Sequence, residues 1–170
     1  MIESDITTHF AKLSHLNTIM EIQKRCYHAI EPEPAEILGL KIRSNPNTCF
    51  IATYKGTIRG YLLSIPALLE KPPVLNATAP IVEKPNCLYL HDLSINPDAR
   101  GLGIANCLVK RFFSALSDKN LDKACLVSVQ NSQKFWHHYG FYFKLATGTL
   151  KDIVTTYGET AVYMEYHSPH

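Results

Sequence analysis

The chain has 170 residues, 46% of them hydrophobic, and a formal net charge of +2 at pH 7. This length and composition predict one domain over residues 1–170 with a substantial buried core. The near-neutral charge and the lack of a long basic run argue against nucleic-acid binding, and no apolar stretch is long enough to span a membrane. The five cysteines are scattered and form no C-x-x-C pair, so we expect reduced thiols in a cytoplasmic protein.

The N-terminal part of the chain predicts a short strand followed by two helices. Residues 10–13 suit a first strand. Residues 18–30 and 33–43 carry apolar side chains at helical spacing. Pro32 and Pro34 separate the two helices, because proline is not tolerated inside one.

A hairpin and a long loop come next. Residues 48–54 and 57–65 are rich in β-forming side chains, and the lysine–glycine pair between them predicts a hairpin. Gly60 inside the second run indicates a bulge or a close backbone approach. Residues 67–86 are rich in proline and follow no period, so we expect an extended loop. Loops of this length in compact domains are often functional.

The central stretch of the chain contains the strongest functional signal. Residues 88–95 predict a buried strand, and the Asn-Pro-Asp-Ala sequence at 96–99 predicts a tight turn. A helix is expected to begin at Arg100, with Gly101 and Gly103 in its first turn. The first amides of a helix have no partner inside it and lie at the positive end of its dipole. The two glycines leave them open to an anion, so the sequence predicts a pyrophosphate cradle.

The rest of the chain continues the alternation of strands and helices. Residues 123–130 predict another buried strand, and residues 133–139 a short helix with Asn131 as a capping residue. Residues 141–145 and 161–166 predict two further strands.

Two common phosphate-binding motifs do not fit the cradle. A Walker loop requires a GK[ST] sequence, which does not occur in this chain. A dinucleotide fingerprint requires a third glycine at the first strand–helix turn, whereas G-L-G-I-A-N lacks it and lies past the middle of the chain. A glycine-containing helix start without a ligand stays open as the plain alternative.

The pattern that does fit is R-x-x-G-x-A, formed by Arg100, Gly103 and Ala105 after a strand and an Asn-Pro turn. It resembles motif A of the GNAT N-acetyltransferase superfamily, [Q/R]-x-x-G-x-[G/A]. Residues 131–141, NSQKFWHHYGF, resemble motif B of the same family in their aromatic pair and closing Gly-Phe. Together the two motifs cover about residues 88–141.

The resemblance implies a fold and a cosubstrate. The fold class is α/β (α+β), with a mixed, mostly antiparallel central sheet whose central strands splay apart and whose faces are flanked by helices. The gap between the splayed strands admits the pantetheine arm of acetyl-CoA, the expected cosubstrate, which pairs with the first strand as an added strand would. The predicted cofactor-binding residues are Leu93, Ile95, Arg100, Gly101, Leu102, Gly103, Ile104, Ala105 and Asn131. For Asn131, a plain helix cap is the alternative.

The chemistry of amine acetylation requires a base for the amine proton. In an unbulged strand, Tyr89 and His91 share one face, which continues through Leu93 and Ile95. Asp92 then lies on the opposite face and is the poorer candidate. Histidine side chains ionise close to neutral pH, so we predict His91 as the catalytic base. A core histidine satisfied by the backbone is the alternative.

The reaction also needs a proton for the leaving thiolate. Many members of the family place a tyrosine four residues before the motif B glycine, but this chain has Trp136 there, and an indole is no proton donor at neutral pH. Tyr139 is the predicted acid, with packing against the sheet, or protonation by solvent, as alternatives. Tyr27 and Tyr89 are the predicted substrate-binding residues, and the loop at 67–86 is expected to cover the substrate.

Two classes of function follow from the resemblance. The first is an acetyl-CoA-dependent N-acetyltransferase that acts on a primary amine of a small molecule or peptide by direct attack in a ternary complex. The alternative is a non-catalytic CoA- or acyl-CoA-binding sensor or assembly module. No metal is expected, since His137 and His138 point about 100° apart on their helix and lack partners at ligand spacing. The sequence leaves a homodimer open.

Overall fold

A computed structural model describes residues 5–28, 30–78 and 81–169. The described strands are β1 (Ile6–Phe10), β2 (Cys49–Tyr54), β3 (Thr57–Ala67), β4 (Cys87–Ile95), β5 (Lys123–Ser128), β6 (Tyr142–Phe143) and β7 (Val162–His167). The described helices are α1 (Leu16–Cys26), α2 (Ala35–Ser44), α3 (Ile104–Asp118), α4 (Gln133–His138) and α5 (Gly148–Thr155).

The strands form one mixed sheet in the order β1-β2-β3-β4-β5-β7-β6. β4 and β5 are parallel, and every other neighbouring pair is antiparallel. The prediction of a mostly antiparallel sheet flanked by helices is confirmed.

Helices cover both faces of the sheet and enclose three apolar clusters. α3 presents Ile104, Leu108 and Phe112, spaced one turn apart, to a core on one face. On the other face, α1 and α2 pack against β2 and β3, while α5 packs against β5 and β7. Within the described ranges, no helix has both the length and the apolar character needed to cross a bilayer.

The sequence misplaced the first strand and missed a helix. The prediction of a strand at residues 10–13 is wrong, since β1 ends at Phe10. β1 reads ITTHF, so its pairing with β2 rather than an apolar pattern defines it. α5 was not predicted, because this short helix buries only Leu150 and Val154. The helix predicted over 18–30 ends at Cys26, and Ala29 lies outside the described residues.

β4 contains a bulge at His91. Leu90 pairs with Ser64 and Asp92 pairs with Leu63, so His91 is the extra residue between two consecutive pairs. The insertion reverses the inward and outward alternation for the rest of the strand. The prediction that one face runs from Tyr89 and His91 to Leu93 and Ile95 is therefore wrong. Leu93 and Ile95 pack on the α3 side, while Asp92 points to the opposite side, which His91 also faces.

Gly60 allows two strands and α3 to approach closely. It pairs with Ile95 of β4, and the register with β2 shifts beside it. A Cβ on Gly60 would lie 2.7 Å from Ile95 Cδ1, 3.1 Å from the Ser94 carbonyl oxygen and 3.2 Å from Ile104 Cγ2. The predicted bulge and close approach are thus both present.

Gly60→Ala should lower the free energy of unfolding by about 1–3 kcal/mol, because the added methyl group meets atoms that have little room to move. Urea unfolding of the two proteins measures the difference. Gly39→Ala is the matched control, since its Cβ would meet only the flexible ends of Leu16 and Leu13 at 3.3 and 3.6 Å. The control should be unchanged or more stable by up to about 1 kcal/mol, as expected for alanine in a helix. Equal stability of Gly60→Ala and the parent would contradict the steric argument.

Candidate active site

A cleft of about 460 Å³ opens where β4 and β5 separate. Pairing between the two strands ends at Leu90 and Leu126, whereas β4 continues to Ile95 beside β3 alone. The ends of α1 and β5 and the starts of α3 and α4 complete its walls. Nine predicted site residues line this cleft: Tyr27, His91, Leu93, Ile95, Arg100, Gly101, Gly103, Ile104 and Ala105.

The turn from β4 into α3 has the open backbone that an anion cradle needs. α3 begins at Ile104, four residues later than predicted, because Gly103 caps it with a φ of 91°. Gly101 has a φ of 82°, and both values favour glycine. A Cβ at Gly101 would meet no described protein atom within 4 Å, and one at Gly103 would meet only Ile6 Cδ1 at 4.0 Å. The first amides of α3 therefore border open space on the wall of the cleft.

Polar contacts hold the turn before the cradle in place. The Asn96 side chain accepts hydrogen bonds from the Asp98 amide at 3.1 Å and from Arg25 Nη1 at 2.7 Å. Arg25 also forms an ion pair with Asp98 at 3.2 Å. The end of α1 is thus tied to the turn that precedes the glycines.

Four predicted site residues do not line the cleft. Leu102 is 43% exposed on the outside of the turn, and Asn131 is exposed with a φ of 60° before the α4 cap. Tyr139 donates its phenolic hydrogen to Asn106 Oδ1 at 3.3 Å, and burial raises the pKa of Tyr139. Tyr89 is fully buried.

His91 lies in a buried ionic cluster with Glu33 and Lys41. His91 Nε2 is hydrogen-bonded to Glu33 Oε1, and Lys41 Nζ lies 3.5 Å from Glu33 Oε2. The side chains of His91, Glu33 and Lys41 are only 3%, 5% and 1% exposed. His91 Nδ1 is buried and has no hydrogen-bond partner among the described residues. The cluster therefore leaves one ring nitrogen of a cleft residue unpaired.

The backbone at Glu33 is fixed by a side chain of α1. Gln23, which is 2% exposed, accepts from the Glu33 amide at 3.3 Å and donates to the Glu33 carbonyl at 3.2 Å. Pro32 and Pro34 on either side restrict the backbone of the segment further. These constraints direct a buried carboxylate toward His91.

The charges in this cluster stabilise one another. Burial raises the pKa of Glu33, but the hydrogen bond and charge of His91, together with Lys41 and the Asn76 amide, outweigh it. The pKa of Glu33 therefore lies below its ordinary value, and the carboxylate is ionised at neutral pH. Burial lowers the pKa of Lys41, and the Glu33 carboxylate opposes part of that shift.

A second buried carboxylate lies beside His91 on β4. Asp92 accepts hydrogen bonds from the hydroxyl groups of Tyr27, Tyr61 and Ser94, the last two at 2.5 and 3.3 Å. Burial raises the pKa of Asp92, and the nearby His91 charge and the two tyrosine hydroxyl groups oppose the shift. The bulge at His91 brings this carboxylate to the same side as the predicted base.

Residues 73–77 of the predicted loop, which we call the strap, cross from α2 to α5. The Asn76 amide donates to Glu33 Oε2 at 3.1 Å, and Lys41 Nζ donates to the Ala77 carbonyl at 3.0 Å. Leu75 of the strap lines the cleft.

The other end of the strap is anchored near His91 by two tyrosines in series. The Tyr157 hydroxyl donates to the Pro73 carbonyl at 2.7 Å and accepts from the Tyr89 hydroxyl at 2.9 Å. Tyr157 lines the cleft, and its ring centroid lies 6.4 Å from that of His91. The strap therefore contacts groups around His91 at both ends.

Sequence reasoning missed Glu33, Lys41 and the role of Asp92. One signal was present: Lys41 lies three residues after Leu38 and one before Ile42, within the buried stripe of a helix. A buried lysine requires a partner, usually a carboxylate. The partner itself is eight residues away and was not recognisable from spacing. Among the described residues, no group of three or more His, Cys, Asp or Glu side chains is placed to hold a metal ion.

Comparisons with known proteins agree with this architecture. The chain matches the sequence model of the acetyltransferase (GNAT) family over residues 16–141. No curated protein matches it. The structure is similar to the loading GNATL domain of CurA from Lyngbya majuscula, with a TM-score of 0.78 and 13% identity over 95% of this chain and 97% of that one.

Two further similar structures contain CoA derivatives. The GNAT-like decarboxylase GphF in complex with isobutyryl-CoA has a TM-score of 0.76 and 12% identity over 95% of this chain and 98% of that one. Naa50 from Arabidopsis thaliana, in complex with the bisubstrate analogue CoA-Ac-MVNAL, has a TM-score of 0.66 and 13% identity over 95% and 97%. At these identities the likeness establishes the fold.

Tyr61→Phe should destabilise the protein by about 1–3 kcal/mol near neutral pH, because Asp92 Oδ2 loses its hydrogen-bond donor while buried. The pKa of Asp92 is raised from 3.8 in the folded protein. The stability that protonated Asp92 contributes is therefore fully present below the pKa of Asp92 in the unfolded chain. It is lost as the pH rises through the pKa of Asp92 in the folded protein. Removing a donor from the carboxylate raises the folded pKa further, so the stability difference should shrink as the pH falls.

Urea unfolding at about pH 4 and about pH 7 measures this effect. Tyr142→Phe is the matched control, since Tyr142 is 43% exposed at the sheet edge. We expect no pH-dependent difference for the control. A Tyr61→Phe protein that loses as much stability at pH 4 as at pH 7 would show that Asp92 does not use this donor as a carboxylate.

Proposed function

Because the chain belongs to the acetyltransferase (GNAT) family, we propose that it is an acetyl-CoA-dependent N-acetyltransferase that acts on a primary amine by direct attack in a ternary complex. The observation that carries the proposal is one cleft that contains both the glycine cradle and the buried His91. Binding energy at one end can therefore position a reacting group at the other.

The residues along the cleft suit the parts of CoA. We assign the pyrophosphate to the amides and side chains of residues 100–105 and the pantetheine arm to the backbone of Leu93 and Ile95. The open space at Gly101 and Gly103 supports the first assignment. The free edge of β4 beyond Leu90 supports the second. The complexes of GphF and Naa50 with CoA derivatives support CoA as the class of ligand.

His91 is the proposed base. Acetyl-CoA supplies an activated acetyl thioester; transfer forms a C–N bond, breaks the C–S bond and releases the CoA thiolate. His91 accepts the proton that the amine must lose. Tyr139 bonds to Asn106 and does not line the cleft, so we propose that solvent, rather than Tyr139, protonates the thiolate.

The acceptor is proposed to be a small-molecule or peptide amine that enters beside Tyr27. Tyr27, Leu75 and Tyr157 line this end of the cleft and supply apolar surface for the body of the amine. All five cysteines are free, in keeping with the proposed cytoplasmic location. A homodimer stays a prediction.

An amine panel tests the function directly. The protein is incubated with acetyl-CoA and a set of small-molecule and N-terminal peptide amines, and thiol release and N-acetylated product are measured together. The proposal expects stoichiometric thiol and amide with at least one amine. Thioester binding without turnover would instead support the CoA-binding module. A malonyl-type acyl-CoA, with a carboxyl group on its α-carbon, is included because GphF is a decarboxylase, and CO₂ release without amine acylation would overturn the proposal.

Gly103→Asp should weaken acetyl-CoA binding by about three orders of magnitude. A carboxylate about 4 Å from the pyrophosphate, at an effective dielectric constant near 20, costs about 4 kcal/mol. The φ of 91° at Gly103 strains any side chain, so the matched control is Gly103→Asn, which has the same shape and tolerance of this conformation without the charge. Calorimetry on folded proteins should show much weaker binding for the aspartate than for the asparagine variant. Equal affinity of the two would refute the phosphate assignment.

His91→Ala should lower kcat by about 10²-fold or more and leave acetyl-CoA affinity nearly unchanged. In the parent, kcat should rise with pH, because only the neutral imidazole accepts a proton. His137→Ala, an exposed histidine on α4, is the control and should behave as the parent. Parent-like turnover and pH profile in His91→Ala would remove His91 from the mechanism.

A further inference from the structure

We propose that Glu33 is a positioning residue that holds His91 in its Nε2–H form, so that Nδ1 is the atom that accepts the amine proton. The inference rests on the proposed function for its chemistry, but the protonation form of His91 can be measured without turnover. The argument starts from the hydrogen bonds around the two side chains.

The bond between His91 and Glu33 defines which ring nitrogen carries the hydrogen. His91 Nε2 is bonded to Glu33 Oε1. An ionised carboxylate can only accept hydrogen bonds, so Nε2 must be the donor. In the neutral imidazole the other nitrogen, Nδ1, then carries a lone pair and is the basic atom.

Glu33 is held ionised by His91 and by two further contacts. Its second oxygen, Oε2, accepts from the Asn76 amide at 3.1 Å and lies 3.5 Å from Lys41 Nζ. Burial raises the pKa of the carboxyl, but the hydrogen bond and charge of His91, followed by Lys41 and the Asn76 amide, bring it below its ordinary value. An ionised carboxylate favours Nε2–H over the other neutral form of the ring.

Nδ1 is the unsatisfied atom of the cluster. It is buried and has no hydrogen-bond partner in the described part of the chain. A buried polar atom without a partner is costly, and buried groups of this kind require an explanation. His91 lines the cleft, so an amine bound there that donates to Nδ1 would supply the missing partner.

The proton balance of the step is simple. The amine nitrogen gives one proton to Nδ1 as it attacks, and His91 becomes an imidazolium with hydrogens on both nitrogens. Glu33 stabilises that cation through the existing bond at Nε2. After the amide product leaves, water that enters the cleft takes the proton from Nδ1. Water also gives one proton to the thiolate, so overall one proton moves from nitrogen to sulfur.

Charged and titratable groups face His91 from every element packed against it. Lys41 and Glu33 lie on the α2 side, Asp92 follows on the same strand, and the rings of Tyr89 and Tyr157 lie 5.8 and 6.4 Å from the imidazole. Tyr27 and Tyr61 act on Asp92 through their hydroxyl groups. Of these groups, only Glu33 bonds directly to the His91 ring, so its removal should dominate the change in pH dependence.

The kinetic test compares Glu33→Gln with Glu36→Gln. Both remove one negative charge from the same segment, but Glu36 is exposed on the first turn of α2 and contacts neither His91 nor the cleft. In Glu33→Gln, kcat should fall by about 10²-fold. The acidic side of the pH profile of kcat should move to lower pH by about one unit or more, because the imidazolium loses its counter-charge. KM for acetyl-CoA should stay within about twofold, and Glu36→Gln should match the parent.

The second measurement is NMR of protein labelled with ¹⁵N-histidine, which distinguishes the two neutral forms of the ring. His91 is one of eight histidines, and its signals are identified by their loss in His91→Asn. At high pH the parent should show Nε2–H at His91. In Glu33→Gln both forms should be populated, because a glutamine amide can accept from Nε2 or donate to it.

The outcomes separate this proposal from the proposed function. Nδ1–H at His91 in the parent, or a parent-like kcat and pH profile in Glu33→Gln, would overturn the role of Glu33 even if amines are acetylated. An absence of acetylated amine would overturn the function, while the NMR result would still decide the protonation form. If Glu33→Gln does not fold with Lys41 left unpaired, Glu33→Gln/Lys41→Met removes both charges and should show the same shift in the pH profile and the same mixed forms.

Discussion

One extra residue in β4 organises the candidate site. With His91 inserted between the Leu90 and Asp92 pairs, the strand changes the side to which each later residue points, just where its pairing with β5 ends. The first consequence is that the side chains of His91 and Asp92 both face the side of the sheet that carries α1 and α2. The second is that Leu93 and Ile95 turn toward α3 and leave a backbone edge free for a ligand. The bulge thus separates the proposed base from the proposed ligand-binding edge within five residues.

Buried charge then determines what surrounds this bulge. Glu33, Lys41 and Asp92 are each at most 6% exposed, and each would be costly without partners. Their requirements are met by groups from distant parts of the chain: two tyrosine hydroxyl groups, an imidazole and the peptide groups of the strap. Removing one partner from such a cluster leaves an uncompensated charge, so these contacts tend to be kept or lost together. The strap is therefore held over the cleft by the same charges that position the proposed base.

What the sequence could predict was local. The turn and glycines before α3, the period of its apolar residues and the runs that form β2 to β5 are each encoded within a few neighbouring residues. The arrangement of the sheet came from the resemblance of the motifs to the GNAT family. The start of α3 was placed four residues early, because Gly103 was expected inside the helix rather than at its cap with a positive φ. The bulge at His91 was not predictable, since it depends on register with β3. Glu33 was missed because its partners lie eight residues away in Lys41 and 58 residues away in His91.

The segment between α1 and α2 contacts both the bulge in β4 and the buried charges around it. Gln130, just after β5, donates to the Cys26 carbonyl at 3.2 Å and accepts from the His28 amide at 3.3 Å, while Gln23 holds Glu33 by the same kind of paired amide contact. The segment is thus fixed near both ends, with Tyr27 bonded to Asp92 at one end and Glu33 bonded to His91 at the other. Gln130, Tyr27 and Glu33 all line the cleft. Both described ends of this segment therefore border the space between β4 and β5, together with Gln130.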